Sequence, residues 1–369
     1  MADRKKLLIL SVGYGQGHHS AAAAAAEEFA SRGWECRTMD PCSEAHPGVF
    51  QLSQAYYRFC VRRAPGLWGL TYDLTETADW TRCVRWPLLK DALSLIERVW
   101  SDWQPNLVLC TYPLYAYMLD DMSRRLGQSI PYVVQVTDAL AVSRPWMKSA
   151  APLVLVTDDR TQKLVTAQYG LEPGLVCVGG FPVRRVFRPS SALLPPDAAH
   201  FRILYACYIS LRRSLRQVED MLHHLPHAAL TVLTGPFQTA FERYFSKEVK
   251  SGRLTLLSQT DAMADLFASH HVYIGKAGAA TMFEAYSAEI PMLVTYALPG
   301  QEQGNLELLE SDGAGCYVPG SAELLTALQE LLQPGHPHSW SARRNAMRAA
   351  GRSGASKRMA DIIERRFFS

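Results

Sequence analysis

The sequence predicts an α/β protein made of two doubly wound halves facing a cleft. Three observations carry that expectation. Short apolar runs alternate with helical stretches from Lys6 to Val318, 369 residues are too many for one typical core, and a proline-rich segment from Arg188 to His200 divides the chain. Apolar content of 48% and charged content of 20% are those of a soluble globular protein. No apolar run approaches the length of a membrane span. The basic lead and short apolar stretch of Met1 to Val12 suit a first buried strand better than a signal peptide. The eight cysteines are scattered without a CxxC pair, which suits reduced thiols in a cytoplasm and indicates no metal site.

The first strand, Lys6 to Val12, runs into Gly13-Tyr14-Gly15-Gln16-Gly17-His18-His19 and then an alanine-rich helix led by Ser20. Strand, glycine-rich turn and helix form the phosphate-binding arrangement of doubly wound sheets. The spacing is G-x-G-x-G-H, with no P-loop Lys-Ser/Thr, so a dinucleotide or nucleoside-triphosphate site is poorly supported. What remains is an imidazole, His18, at the mouth of the turn, where a helix N-terminus disfavours its protonation and keeps it available as a base. A lone loop histidine is usually incidental, and the flanking glycines Gly15 and Gly17 are the argument against that reading. Cys36 to Met39 reads as a second strand ending near Asp40. Between Phe50 and Trp103 the pattern turns helical and aromatic, with five of the eight tryptophans and interleaved arginines. That suits a membrane interface or an amphiphilic acceptor. Six acidic against seven basic residues make it no polybasic patch, and plain packing is the competing reading.

Strands follow at Leu107 to Cys110, Tyr132 to Val136, Leu153 to Val156 and Leu175 to Val178. They end on Thr111-Tyr112-Pro113, Thr137-Asp138, Thr157-Asp158-Asp159 and Gly179-Gly180. Polar residues at such carboxyl ends are where open α/β sheets bind ligands. After the linker (189–200) a second set runs through Phe201 to Tyr205, Leu230 to Thr234 and Leu254 to Leu257. It then reaches Lys276 to Asn305, KAGAATMFEAYSAEIPMLVTYALPGQEQGN. Here His271 to Ile274 leads into a small-residue turn at Gly278-Ala279-Ala280-Thr281 and a helix carrying Glu284. Small residues let a ligand approach the backbone, and a helix start offers unpaired N–H groups to a phosphate. Glu284, about one turn on, suits vicinal hydroxyls such as a ribose. The bland alternative is an ordinary strand–turn–helix. Gly315 to Val318, a helix over Ala322 to Leu332 and a long Arg-rich C-terminal helix complete the chain. From Ser341 to Ser369 the net charge is +6 against −3 for the remainder. That suggests an anionic neighbour, a solvated helix face being the commoner outcome.

Taken in order, LLILSVGYGQGHHSAA, TYPLY, VVQVTDALAVSRPW, VGGFPVRRVF, GKAGAATMFEA and LPGQEQGN resemble the glycosyltransferase family of monogalactosyldiacylglycerol synthase and processive diacylglycerol glucosyltransferase. More distantly they resemble the transferase that adds N-acetylglucosamine to a peptidoglycan lipid. The resemblance implies a GT-B fold of two Rossmann-like domains, an acceptor-binding domain over 1–188 and a UDP-sugar-binding domain over 201–345. A basic C-terminal helix is expected over 346–369. It further implies inversion at the anomeric carbon and no cofactor or catalytic metal beyond the UDP-sugar co-substrate. Carried onto this chain, Gly278, Ala279, Ala280 and Thr281 hold the diphosphate, Glu284 the ribose, Gln301 and Glu302 the sugar hydroxyls, with Asn305 beside them. His18 matches the base that deprotonates the acceptor hydroxyl. Asp138 orients His18, acts as base itself or merely caps a strand end. Gly15, Gly17, Tyr112 and Pro113 form the acceptor-side loops. Tyr205 to Ser210 lacks the glycine-rich turn of relatives, so Tyr208 and Ile209 stand to crowd the diphosphate, with Ser210 and Arg212 available to contact it.

The expected function is hexose transfer from a UDP-sugar to a lipid hydroxyl, diacylglycerol or similar. The expected partners are the donor, the lipid and an anionic membrane surface, at the cytoplasmic face of the cell membrane. A soluble or different lipid acceptor, or a non-catalytic nucleotide-sugar-binding protein, are the alternatives. Nucleic-acid binding is disfavoured because no recognised module accompanies the basic tail.

Overall fold

The computed structural model describes residues 4–14, 17–172, 174–208, 210–298, 300 and 302–369, excepting the side chains of 61–63, 65, 68, 72 and 73. The first six strands are β1 (Lys6–Leu10), β2 (Glu35–Met39), β3 (Leu107–Cys110), β4 (Tyr132–Gln135), β5 (Val154–Val156) and β6 (Val176–Val178). They form one parallel sheet in the order β2-β1-β3-β4-β5-β6. The central strands are apolar on both faces because helices cover both. Leu8, Leu10, Val108, Cys110 and Val134 join one core, and the alternate residues Leu7, Ile9, Leu107, Leu109 and Val133 join the other. Between β2 and β3 lie the helices Pro47–Arg63, Pro65–Thr77, Trp80–Cys83 and Pro87–Trp103. Three of them open on proline, whose fixed φ and missing N–H suit a first helical position.

The second sheet comprises β7 (Arg202–Ala206), β8 (Ala229–Leu233), β9 (Leu254–Leu257), β10 (Val272–Lys276), β11 (Met292–Tyr296) and β12 (Gly315–Tyr317). It too is parallel, in the order β12-β11-β10-β7-β8-β9. The twelve strands are those read from the sequence, with ends shifted by a residue or two.

The chain groups into two compact units. The first comprises Met1–Arg184, Pro299–Gly304 and Gly354–Ser369, and the second Arg185–Leu298 and Asn305–Ser353. The 299–304 segment, expected with the UDP-sugar-binding half, therefore groups with the first unit, as does much of the separate C-terminal helix expected over 346–369. The C-terminal region is also two helices, Trp340–Ala349 and Ala355–Phe367, rather than one. Gly351 (φ 62°), just past the end of the first helix, and Gly354 (φ 73°), which precedes the second, adopt the left-handed conformation that glycine takes at little steric cost. The last helix buries Met359, Ala360 and Ile363 against Leu7, Ile9, Ala22, Phe29 and Leu107.

The positive charge of this region is partly used internally. Arg344 and Arg348 both reach Glu289, Arg352 forms a two-point pair with Asp312, and Arg343 is buried. In the first unit Arg32 meets Asp361 and Glu364 at 2.7 and 2.8 Å, and Trp34 Nε1 donates to Glu364 at 3.0 Å. These pairings commit part of the tail's positive charge, while Lys357, Arg365 and Arg366 are exposed.

Candidate active site

In the first sheet β1 lies between β2 and β3, so the chain leaves it on one side and returns on the other. The crevice beyond the carboxyl ends of β1 and β3 is thus the topological switch point, the usual ligand position of such sheets. The helix Gly17–Ser31 starts there, and its buried alanines 21, 22, 24 and 25 let it lie close on the sheet. Its second residue is His18, which is buried. His18 Nδ1 lies 2.6 Å from the Thr111 carbonyl oxygen, at the end of β3, and 3.3 Å from Thr137 Oγ1. A carbonyl can only accept, so Nδ1 carries the proton and Nε2 keeps its lone pair. Burial pushes the His18 pKa down to about 4, against the raising effect of the Thr111 bond, so the ring is neutral and proton-accepting at pH 7. Tyr112 stands edge-on to it at 5.2 Å between ring centres, and Trp146 tilts over it at 6.1 Å.

Asp138 follows β4 and is half-buried. Its carboxylate accepts a 3.0 Å hydrogen bond from Trp146 Nε1. Burial raises its pKa to about 6, Glu302 and Glu76 add to the rise, and the Trp146 bond opposes it. The loop beyond it is firmly held. Leu140 sits at φ 55°, and its N–H donates to Thr161 Oγ1 at 2.9 Å. Thr161 in turn bonds Asp158, which caps the helix Asp159–Tyr169. Orientation of His18 by Asp138 is not what the bonding gives. The Thr111 carbonyl already occupies Nδ1, and Asp138 is engaged by Trp146 instead.

Asp138 has a second carboxylate as neighbour. Glu302 is buried within the 299–304 segment of the same unit. Gly304 presses so closely on residues 139–141 that an added Cβ would collide with the Ala139 carbonyl oxygen and the Ala141 nitrogen. The segment expected to bind sugar hydroxyls thus joins the His18 and Asp138 neighbourhood. Gly17 opens its helix with open space about its Cα, Tyr112 precedes the helix Pro113–Leu126, and Pro113 is that helix's buried first residue. Gly13 is pinned by Asp40, which accepts its N–H at 3.1 Å, and by Gln54, which donates to its carbonyl at 3.0 Å. Gly15, Ile209 and Gln301 lie outside the described residues.

In the second sheet the switch point falls between β7 and β10. There Gly278, with extended backbone, precedes the helix Ala279–Ala288, whose first hydrogen-bonded turn closes from Met282 N to Gly278 O at 2.9 Å. The N–H groups of Ala279, Ala280 and Thr281 precede that bond and are the orphans of a helix start. Glu284 is buried on the same helix. Asn305 Nδ2 donates to the Ala277 carbonyl at 3.0 Å, so Asn305 braces the loop. Ser210 is exposed and precedes the helix Leu211–His224 without a side-chain capping bond. Tyr208 is exposed, and Lys276 Nζ lies 5.7 Å from its ring centre.

Sequence reasoning found His18 and Asp138 but assigned no site role to Trp146, which touches both environments, or to the Thr111 carbonyl. A polar strand end signals Thr111. Nothing local signals the eight-residue loop that returns Trp146 to Asp138.

The monogalactosyldiacylglycerol (MGDG) synthase family model matches residues 18–183, and the glycosyltransferase family 28 C-terminal domain matches 212–365. The processive diacylglycerol beta-glucosyltransferase of Bacillus subtilis is 24% identical over 90% of this chain and 88% of its own length. That of Bacillus mycoides is 22% identical over 90% and 87%. Among solved structures, MurG of Acinetobacter baumannii superposes with a TM-score of 0.61, at 13% identity over 98% of this chain and all of its own. HepE of Anabaena, solved in complex with UDP, gives 0.56 at 14% identity over 98% and 99%. Fold and domain matches together define a glycosyltransferase of GT-B architecture. The first half of the chain thus carries an MGDG synthase-family domain and the second a glycosyltransferase family 28 C-terminal domain.

Proposed function

We propose that this glycosyltransferase moves a hexose from a UDP-sugar to the hydroxyl of a diacylglycerol-type lipid, with inversion, at the cytoplasmic face of the membrane. The observation that carries the reading is the fixed tautomer of His18. Its Nδ1–H is anchored to the Thr111 carbonyl, which leaves Nε2 as a neutral lone pair at a switch point. In the proposed step the acceptor O–H gives its proton to His18 Nε2 as the oxygen attacks C1. The C1–O bond to the diphosphate breaks, and UDP leaves with the electron pair. The start of the helix Ala279–Ala288 meets the charge that develops on the leaving group, in the way preorganised N–H groups lower such barriers. A single displacement inverts the anomeric centre. Asp138, with its raised pKa, is the alternative base, and Glu284 and Glu302 are the ribose and sugar contacts.

The lipid acceptor is supported by the relatives' names and by the first unit's surface. Val49, Leu52, Tyr56 and Phe59 recur at helical spacing on the helix Pro47–Arg63, and Leu67, Leu70 and Leu74 on Pro65–Thr77. All are exposed, as are Trp86 and Leu88. Stripes of this kind suit the lipid–water boundary. Among the described residues no helix is long and apolar enough to cross a membrane. The test is nucleotide release from UDP-glucose, UDP-galactose and UDP-N-acetylglucosamine in the presence of diacylglycerol vesicles, with the product's anomeric configuration read by NMR. Release with one sugar and a β-linked lipid product is expected. Absence of release with every donor and lipid refutes the reading.

A further inference from the structure

The turn joining the helices Ser321–Leu331 and Trp340–Ala349 gathers three side chains that the transfer reaction does not use. Glu330 lies in the last turn of the first helix, and His336 and His338 follow in the connection. One carboxylate oxygen and two imidazole nitrogens come within 4.8 Å of one another. The backbone is shaped for this. Gly335 takes φ 82°, His336 N–H donates to the Gln333 carbonyl at 3.2 Å, and Ser339 N–H donates to the His336 carbonyl at 2.9 Å. Ser339 Oγ then caps the next helix by accepting from Ala342 N at 3.3 Å. Pro334 and Pro337 restrict the connection further.

The protonation pattern also suits a cation. His338 Nδ1 lies 3.2 Å from Glu330 Oε2, so the carboxylate already orients that ring. The His338 N–H donates to His336 Nδ1 at 3.2 Å, which orients that ring and leaves Nε2, on losing its proton, as the nitrogen for the metal. Glu330 and His338 line an open groove of about 560 Å³ with Glu310, Glu323, Cys316 and Arg343. Two further carboxylates add negative potential there. The Arg343 guanidinium opposes it, and that group is buried and directed at Cys316 Sγ, 3.3 Å away.

We propose that Glu330, His336 and His338 bind a transition-metal dication, zinc being the best match, and that the ion locks this turn. Two imidazoles and a carboxylate with water completing the shell is a ligand set zinc takes, whereas calcium and magnesium favour oxygen ligands throughout. Zinc bonds of about 2.0–2.2 Å place tetrahedral ligand atoms about 3.4 Å apart. Side-chain rotation closes the difference from 4.8 Å. The expected consequence is structural. Trp340, two residues beyond His338, is buried and donates from Nε1 to the His271 carbonyl at 2.9 Å, so fixing the turn also fixes the helix it opens.

The experiment is calorimetric titration of zinc chloride into full-length protein that carries no histidine tag and has been stripped with a chelator. One equivalent per chain and a raised Tm are expected. Glu330→Gln, His336→Ala and His338→Ala should each weaken binding about tenfold or more and abolish the Tm rise. Circular dichroism confirms that these surface variants fold. Cobalt substitution separates the ligands, because imidazole and carboxylate coordination gives visible bands without thiolate charge transfer. The proposal is overturned by absence of binding, by unchanged affinity in the His336→Ala/His338→Ala double variant, or by a cobalt spectrum dominated by thiolate.

Discussion

Replacing His18 by alanine removes the neutral imidazole lone pair that the site holds ready for an acceptor hydroxyl. Turnover should fall by about 10²–10⁴-fold, while calorimetry shows UDP affinity nearly unchanged. Asp138→Asn separates two roles for that carboxylate. If its ionised form takes part, kcat/KM of the parent enzyme falls with an acid limb near pH 6, and the variant loses that limb. The variant should also be more stable at neutral pH. Asp138 titrates near 6 when folded and near 3.8 when unfolded, so its charge is tolerated better by the unfolded chain. Its contribution to stability is full below about 3.8 and lost as pH rises through about 6. Two pH units correspond to about 3 kcal/mol at most, and a thermal melt at pH 7 reads it. His18 was legible as an imidazole at the mouth of a glycine-rich turn, and Asp138 as a polar residue just beyond the carboxyl end of an apolar strand. Glu302 was legible as a polar loop residue, but its proximity to Asp138 was not, since 164 positions separate them in the sequence and only the docking of Gly304 on residues 139–141 joins them. The Glu330, His336 and His338 cluster was hidden for another reason. Scattered cysteines argue against a thiolate site but say nothing about imidazole and carboxylate ligands. A His-Pro-His step after a helix was the available signal.

The helices between Pro47 and Trp103 show where pattern alone was ambiguous. Their aromatic and aliphatic residues read equally as packing or as a surface, and the structure divides them. Trp80, Trp100 and Trp103 lie against the core, whereas Leu52, Leu70, Leu74 and Trp86 do not. Leu52→Glu combined with Leu74→Glu should abolish co-flotation with diacylglycerol vesicles. Turnover of a short-chain acceptor in detergent should stay within a few-fold, because neither residue adjoins His18. Equal loss in both assays would detach the stripes from lipid binding. The strands were legible throughout because a parallel sheet buried on both faces demands unbroken runs of Val, Ile and Leu. The end of the chain was less so. Its arginines suggested one cationic helix, but Gly351 and Gly354 break it, and Glu289 and Asp312, each far earlier in the chain, take up Arg344, Arg348 and Arg352.

At the scale of the whole molecule, buried neutral histidines set the acid limit. His18 and His271 both titrate near 4 when folded, chiefly through burial, against 6.5 as the ordinary value. His271 has both nitrogens committed: Nδ1 accepts from Arg202 N at 2.9 Å, and Nε2 faces the Leu194 carbonyl at 3.2 Å. Their stabilising contribution is present above about 6.5 and is lost as pH falls through about 4, on the order of 2–3 kcal/mol each. Urea titrations at pH 7 and pH 4.5 should show the midpoint falling, and less steeply in His271→Gln. Deleting 354–369 removes Met359, Ala360 and Ile363 from the core they share with β1 and β3. Each fully buried Met or Ile is worth about 2 kcal/mol. The deletion also strips Arg32 and Trp34 of their carboxylate partner Glu364. The truncated protein should therefore aggregate on expression, as the soluble fraction of a lysate would show.

That last helix also imposes a schedule on synthesis. The six strands of the first sheet are complete by Val178, yet the helix that covers Leu7, Ile9 and Leu109 begins only at Ala355. At about 5–20 residues per second the ribosome needs roughly 10–40 s to deliver it. Throughout that interval the part of an apolar sheet face not covered by the helix Gly17–Ser31 stands open on the nascent chain, and the second unit has to be made before the first can close. The first half of this enzyme is therefore the last to finish folding.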